Sequence, residues 1–221
     1  MVKWNGIDFK NKGIIVEKTP TISKGKKDIE IYSVAGRSGF LSIDKGTYQP
    51  FSLQIECHAK ETANFDEIKA FLDGYGTLTL DGEREYTAIV NNAIPFEKVQ
   101  MFKSFVVQFM VNPIAHDITP TTISITDDFT IVGATAEMHP ILTLEAVAGG
   151  AEVNINGVEF TTSNEESATY ILDCESKIIT KNGINASNEM LGDFPFFING
   201  ENTYQGTGVT SLSASYKKAY L

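Results

Sequence analysis

The 221-residue sequence is poor in the residues on which catalytic and metal-binding machinery depends. Its two cysteines, Cys57 and Cys174, lie far apart and lack the close spacing of a zinc knuckle or redox pair. Each falls on the apolar side of a strand-like alternation, which predicts two buried free thiols. The three histidines, His58, His116 and His139, are scattered, and none lies at i, i+4 from another ligand on a helix. No metal site is expected. No serine sits in a G-x-S-x-G elbow and no cysteine has a local nucleophile signature, so no catalytic residues and no enzyme are expected. Gly36-Arg37-Ser38-Gly39 lacks the following Lys-Ser/Thr of a phosphate loop. Gly74-Tyr75-Gly76 and Gly206-Thr207-Gly208 lack a strand-to-helix setting, so no nucleotide or other cofactor is expected. Asp127-Asp128 and Glu165-Glu166 lack the alternating oxygen donors of a calcium loop and read as solvated acids.

Long apolar runs are also absent, and nothing approaches the ~18 residues of a membrane span. The opening Met1-Val2-Lys3-Trp4-Asn5-Gly6 carries no apolar leader. The expectation is a soluble chain made in the cytoplasm, with the Asn185-Ala186-Ser187 sequon unglycosylated. Basic charge is scarce: 18 Lys and Arg stand against 28 Asp and Glu, for a net charge of −10. Such a chain repels a phosphate backbone, which excludes nucleic-acid binding as its function. The imbalance is uneven, with ten basic and six acidic residues in 1–60 and eight against twenty-two in 61–221.

What the sequence does hold is β-forming. Eighteen glycines, fourteen phenylalanines and eight tyrosines accompany many Thr, Val and Ile, whereas long Ala/Leu/Glu/Lys runs are nearly missing. Phe51, Leu53, Ile55 and Cys57 alternate with Ser52, Gln54, Glu56 and His58, the period of a half-buried strand. One helix is predicted after it. Asn64 caps it, Asp66 and Glu67 suit its positive end, Phe65, Ile68, Phe71 and Leu72 form its apolar stripe, and Gly74 ends it. Strands over 77–80 and 86–90 flank Asp81-Gly82, a hairpin signal, and 103–111 reads as a buried strand. The first domain is therefore placed at 1–113, an antiparallel β domain with one helix.

Residues 114–128 are rich in Thr and contain Pro, which predicts a linker or an extended crossing strand. Beyond it, 129–221 shows short strands over 141–147, 151–155, 158–162, 170–173, 177–180 and 209–221. Asn156-Gly157 is a strong hairpin turn between two of them. Many strands and no helix predict a β-sandwich. A carbohydrate site is the second functional class for such a domain, since Tyr170, Tyr204, Tyr216 and Tyr220 are aromatic; tyrosines in strands, however, more often fill a core edge or an interface.

Taken in order, several of these parts resemble the distal tail (Dit) protein family of siphophages. They are the Gly36-Arg37-Ser38-Gly39 loop, the helix running into Phe71-Leu72-Asp73-Gly74-Tyr75-Gly76-Thr77-Leu78, the hairpin with Tyr86, and Phe109 to Asn112-Pro113. In the second half they are the Ile171-Leu172-Asp173 strand and Gly192, Phe194-Pro195, Gly200 and Asn202, similar to the family's G-x-F-P and G-x-N positions. The resemblance implies a fold that is mainly β, an N-terminal ring-forming domain followed by a C-terminal galectin-like β-sandwich. It also implies a non-enzymatic structural hub of a phage or prophage baseplate, in the virion tail tip after assembly in the host cytoplasm. The implied partners are the protein itself, as a homo-hexameric ring that stacks with a second ring, the tail tube protein, a tail-associated lysin or fibre protein, and receptor-binding proteins. No membrane partner is implied, and DNA only passes through the channel. The absence of large insertions in the second domain favours a plain hub; a carbohydrate-binding module for host attachment is the alternative. Exposed loops on a rigid scaffold commonly carry contacts. The expected interface residues are therefore Gly36, Arg37, Ser38 and Gly39 of the loop, with Asp81, Gly82 and Tyr86 of the hairpin. The acidic balance after residue 60 raises the further expectation of an acidic channel lining.

Overall fold

The computed structural model describes residues 1–22, 24–80, 82–92, 94, 97–99 and 102–221, with the backbone alone for 97–99, 102 and 103. It divides into two compact units, Met1–His116 together with Leu221, and Asp117–Tyr220. The first unit contains strands β1 (Lys3–Trp4), β2 (Ile7–Asp8), β3 (Ile14–Val16), β4 (Lys26–Tyr32), β5 (Leu41–Gln49) and β6 (Phe51–Ala59). These are followed by helix α1 (Phe65–Phe71) and strands β7 (Tyr75–Thr79), β8 (Arg84–Val90), β9 (Glu97–Val99) and β10 (Phe102–Asp117). The main sheet runs β2-β1-β7-β8-β10-β6-β3, with β9 also on β10. Its spine is the antiparallel β6–β10 ladder, in register from Lys103 opposite Ala59 to Val111 opposite Phe51. Leu53, Ile55, Cys57 and Ala59 of β6, and Phe105, Val107, Phe109 and Val111 of β10, are all buried. Because opposed residues in a ladder point to one side, this register puts both apolar sets on the same face. β10 is covered on that face only: Val106 is exposed, so the strand read as fully buried is half-buried.

The predicted helix forms as expected. Asn64 accepts a hydrogen bond from the Asp66 amide, 3.1 Å, and donates from Nδ2 to Glu67, 3.1 Å. Ile68 and Leu72 are buried, each side chain contributing about 1.5–3 kcal/mol of apolar burial. Phe71 meets Phe9 edge-on, with centroids 5.8 Å apart. Trp4, fully buried, packs on Phe109 of the same buried face with ring centroids 5.1 Å apart.

The second unit is a β-sandwich. Its strands are β11 (Thr121–Ser124), β12 (Phe129–Ile131), β13 (Ile141–Ala146), β14 (Glu152–Ile155), β15 (Val158–Thr162), β16 (Ala168–Asp173) and β17 (Ile178–Lys181). There follow β18 (Ile184–Asn185), β19 (Met190–Gly192), β20 (Gly200–Asn202), β21 (Tyr204–Thr207), β22 (Val209–Tyr216) and β23 (Ala219–Tyr220). A six-stranded sheet, β11-β22-β13-β16-β17-β18, accompanies a four-stranded one, β19-β15-β14-β21, and a β12-β20 pair. Leu142, Leu144, Tyr170, Leu172, Leu212 and Ala214 of the larger sheet are buried, as are Val153, Ile155 and Phe160 of the smaller.

The stretch 114–128 is not a free linker. β10 continues to Asp117, β11 pairs with β22 from Thr121 opposite Tyr216 to Ser124 opposite Ser213, and the Ile125 amide bonds the Leu212 carbonyl at 2.8 Å. Its Thr-rich composition serves a sheet edge, where backbone groups need partners and one side chain in two faces water.

The G-x-F-P and G-x-N positions acquire a physical reason. Asn156 and Gly157 both have positive φ, +55° and +80°, as a two-residue hairpin turn of this type demands. The Asn156 amide donates to the Phe196 carbonyl, 2.9 Å, and to Asn202 Oδ1, 2.8 Å, and its own Oδ1 accepts from the Thr203 amide, 3.0 Å. Asn202, with no exposed surface, donates to the carbonyls of Ile198 and Gly200, and its Oδ1 also accepts from the Ile198 amide. Phe197 between them is buried edge-on against Phe129 and Tyr216. A Cβ on Gly192 would lie 2.3 Å from the Glu159 carbonyl oxygen, so only glycine fits there. Asn202→Ala strands several buried partners, each costing ~1–3 kcal/mol. It should lower the urea midpoint of this unit well beyond the drop caused by an exposed substitution such as Glu201→Ala, as followed by tyrosine fluorescence.

Candidate assembly surface

The first unit carries one element outside its main sheet. Among the described residues β4 and β5 pair only with each other, with Ile29 opposite Asp44, Glu30 opposite Ile43, Ile31 opposite Ser42 and Tyr32 opposite Leu41. Ile29 and Ile31 therefore share one face, and Tyr32, Leu41 and Ile43 the other. Both faces are open: Ile31 and Phe40 are each 66% exposed, Ile43 54%, and Ile29, Tyr32, Val34 and Leu41 are exposed as well. An isolated two-stranded hairpin is marginal in water. Here ion pairs hold its base, Lys27 to Asp44 at 2.6 Å and Lys45 to Glu30 at 2.8 Å and to Asp28 at 3.6 Å. Each partner favours the other's charged state: the Asp44 carboxyl is held below its usual range by the Lys27 hydrogen bond, and Glu30 by Lys45. These contacts keep the hairpin in shape while leaving its apolar residues uncovered.

Gly36, Arg37, Ser38 and Gly39 fall in the connection at the tip of this hairpin, all exposed, with Gly36 and Gly39 at positive φ. The loop thus sits among the exposed apolar residues. The other expected interface element divides. Gly82 is exposed at φ +83°, Asp81 lies outside the described residues, and Tyr86 is a core residue, 9% exposed, on the inward side of β8 with Ala88. Strand alternation explains the correction: Tyr86 and Ala88 share the buried face, and Glu85 and Thr87 the other. The exposed residues of β4 and β5 had escaped notice as a surface. Their signal was the pattern Asp28-Ile29-Glu30-Ile31-Tyr32, which reads as an ordinary half-buried strand until the sheet it belongs to is known.

A second feature lies at the sheet edge. β3 pairs with β6 only from Val16 opposite Cys57 to Ile14 opposite Ala59, and the last bond on that side runs from the Glu17 amide to the Glu56 carbonyl, 3.0 Å. The chain then leaves through Lys18 to Thr21, opening a cleft of about 520 Å³ beside Ser52, Leu53, Gln54 and Glu56. Hydrogen-bonding direction alternates along a strand, so with Glu56 facing this edge, Ser52 and Gln54 face it too. Their backbone groups form an open strand edge.

Among the described residues no three His, Cys, Asp or Glu side chains group closely enough to hold a metal ion. Cys57 and Cys174 are buried as expected, and burial pushes both thiols up to about 12, helped by the nearby charges of Glu17 and Asp173. Both thiols should resist an aromatic disulfide reagent in the folded protein at pH 8 and react fully once denatured, a difference read directly by absorbance. Fast labelling of either cysteine in the native state would contradict this environment.

No protein-family model matches the sequence, and no curated protein matches it significantly. A solved structure does match in three dimensions: the crystal structure of the SPP1 Dit (gp 19.1) protein, described as a paradigm of the hub adsorption apparatus in Gram-positive infecting phages. The match covers 100% of this chain and 98% of that one, with a TM-score of 0.79 and 13% sequence identity. The fold is that of a distal tail protein. The resemblance carried by scattered Gly, Pro, Asn and aromatic positions thus holds for the fold over the whole chain.

Proposed function

We propose that the protein is a structural, non-enzymatic hub of a phage or prophage distal tail, assembling through its first unit into a hexameric ring that stacks with a second ring. In this reading the ring joins the tail tube protein to a tail-associated lysin or fibre protein and to receptor-binding proteins at its periphery. Its place is the virion tail tip, reached by assembly in the host cytoplasm. The observation that carries the proposal is the β4–β5 hairpin, whose apolar side chains on both faces are exposed, with no cover among the described residues. Exposed apolar surface of this kind marks a protein contact. The open edge at Ser52 and Gln54 offers strand pairing to a neighbour, and a head-to-tail contact repeated by rotation closes a ring. The fold shared with SPP1 Dit supports the hub role.

The acidic channel lining loses its basis. Residues 1–116 hold fourteen basic and fourteen acidic residues, while 117–220 hold four and fourteen. The acidic excess belongs to the sandwich, and a ring of first units has no acidic surplus from its composition.

The triple variant Ile31→Ser, Phe40→Ser, Ile43→Thr tests the assembly surface. Each large apolar side chain buried at a contact is worth about 1.5 kcal/mol or more, so self-association should weaken at least about a hundredfold. Light scattering after size exclusion should give a hexamer or double hexamer for the parent chain and a folded monomer for the variant. A parent chain that stays monomeric at high concentration would overturn self-assembly, and a variant with unchanged mass would remove the hairpin from the interface.

A further inference from the structure

The β4–β5 hairpin has a break in its ladder. At the base Lys26 stands opposite Gln49 and Lys27 opposite Tyr48, and the register resumes with Ile29 opposite Asp44. Between those pairs Asp28 alone faces three residues of β5, Lys45, Gly46 and Thr47, which makes a β-bulge. Gly46 has φ +73°, and a Cβ there would meet nothing within 4 Å, so the bulge stands in open space. A bulge disrupts the ladder and bends the strand, so backbone hydrogen bonds alone do not fix the direction of the segment beyond it. Side chains supply what the ladder lacks. Lys27, on the base side, bonds Asp44 on the tip side at 2.6 Å, and Asp44 also accepts from the Gly46 amide at 2.9 Å. Lys45, inside the bulge, reaches Glu30 at 2.8 Å and Asp28 at 3.6 Å, while Gln49 of the base donates to Asp28 at 3.0 Å. Three ion pairs thus converge on one break in a two-stranded ladder.

The side chains divide at the same place. Every exposed large apolar residue of the hairpin lies beyond the bulge, at positions 29 to 43, whereas the base pairs are formed by Lys26, Lys27, Tyr48 and Gln49. The charged side chains at the break are 31–47% exposed. Exposed ion pairs are individually weak and screened by salt, so they hold a direction without making it permanent. We propose that the hairpin is a jointed arm: the bulge at 45–47 is its hinge, and the pairs of Lys27 with Asp44 and of Lys45 with Glu30 and Asp28 are a releasable latch that sets where the apolar tip points. Released, the tip swings as one piece, because its own register from Ile29 opposite Asp44 to Tyr32 opposite Leu41 is unbroken. The inference concerns the shape of the hairpin and stands whether or not the chain self-associates.

The test is a distance measurement between spin labels on the full chain, at Ser42→Cys on the tip ladder and Glu61→Cys in the turn after β6, both exposed positions. Cys57 and Cys174 are buried and stay unlabelled. Dilution with excess unlabelled chain leaves one labelled copy per particle, whatever the particle's size. The parent should give one narrow distance distribution at low salt. Lys27→Gln/Lys45→Gln should broaden it about twofold; molar salt, which cuts the screening length to about 3 Å, should do the same to the parent and add nothing to the variant. Lys10→Gln/Lys26→Gln, exposed lysines outside the latch, should leave the width unchanged. Hydrogen exchange separates a swinging tip from a melted one: amides of 29–32 and 41–44 that are protected in the parent should stay protected in the latch variant. A latch variant with the parent's width, a control that broadens as much, a parent indifferent to salt, or tip amides that lose protection would overturn the proposal.

Discussion

Both units rest on one constraint, that side chains along a strand alternate between two faces while the backbone ladder fixes which residues stand opposite. In the β6–β10 ladder a slip of one residue would turn either Leu53, Ile55 and Cys57 of β6 or Phe105, Val107 and Phe109 of β10 to the solvent side. The cost of losing so many buried side chains at once is what locks the register. Trp4 packs on Phe109 of that ladder, and the short β3 edge pairs with its β6 strand. The sandwich obeys the same rule, with β13 between β22 and β16 setting Leu142 and Leu144 against the inner face.

Alternation also explains how much could be read in advance. The β6 strand, the capped helix, the hairpin at Asn156-Gly157 and the two-part, mostly β organisation were legible because each follows from short-range pattern or turn chemistry. Of the two readings of 114–128, a linker or an extended strand, the strand is the one that forms over much of it; the sequence left both open because a Thr-rich edge strand has little apolar periodicity of its own. Its β11 strand is defined by its partner β22, far along the chain, with Thr121 opposite Tyr216 and Ser124 opposite Ser213. Tyr86 was placed on a surface because its hairpin is exposed, although its own parity puts it inside. The β4–β5 hairpin fails in the opposite sense: its pattern promises a covered face that no other part of the described chain supplies. Sequence pattern reports which residues seek burial, and only the fold reports whether a cover exists.

Charge divides along the same boundary as the units. The first unit is balanced in charge, with ion pairs at the base of its hairpin and between Lys69 and Asp66 of the helix. The second unit carries the whole acidic excess, and surface charge of one sign favours solubility and attracts opposite charge more than it shapes a fold.

The Asn156–Asn202 knot has a consequence for chemical ageing. Asparagine followed by glycine is the sequence most prone to deamidation, which needs the side-chain carbonyl carbon to swing onto the next backbone nitrogen. Asn156 is held at both ends of its amide by Phe196, Asn202 and Thr203, and that motion is blocked while the unit stays folded. The other Asn-Gly turn of this unit, Asn182-Gly183, has the same positive φ pair but no side-chain hydrogen bond among the described residues. Slow damage in this unit therefore falls on Asn182, in a cleft lined by Glu165, Glu166 and Glu189, where each event adds one more carboxylate.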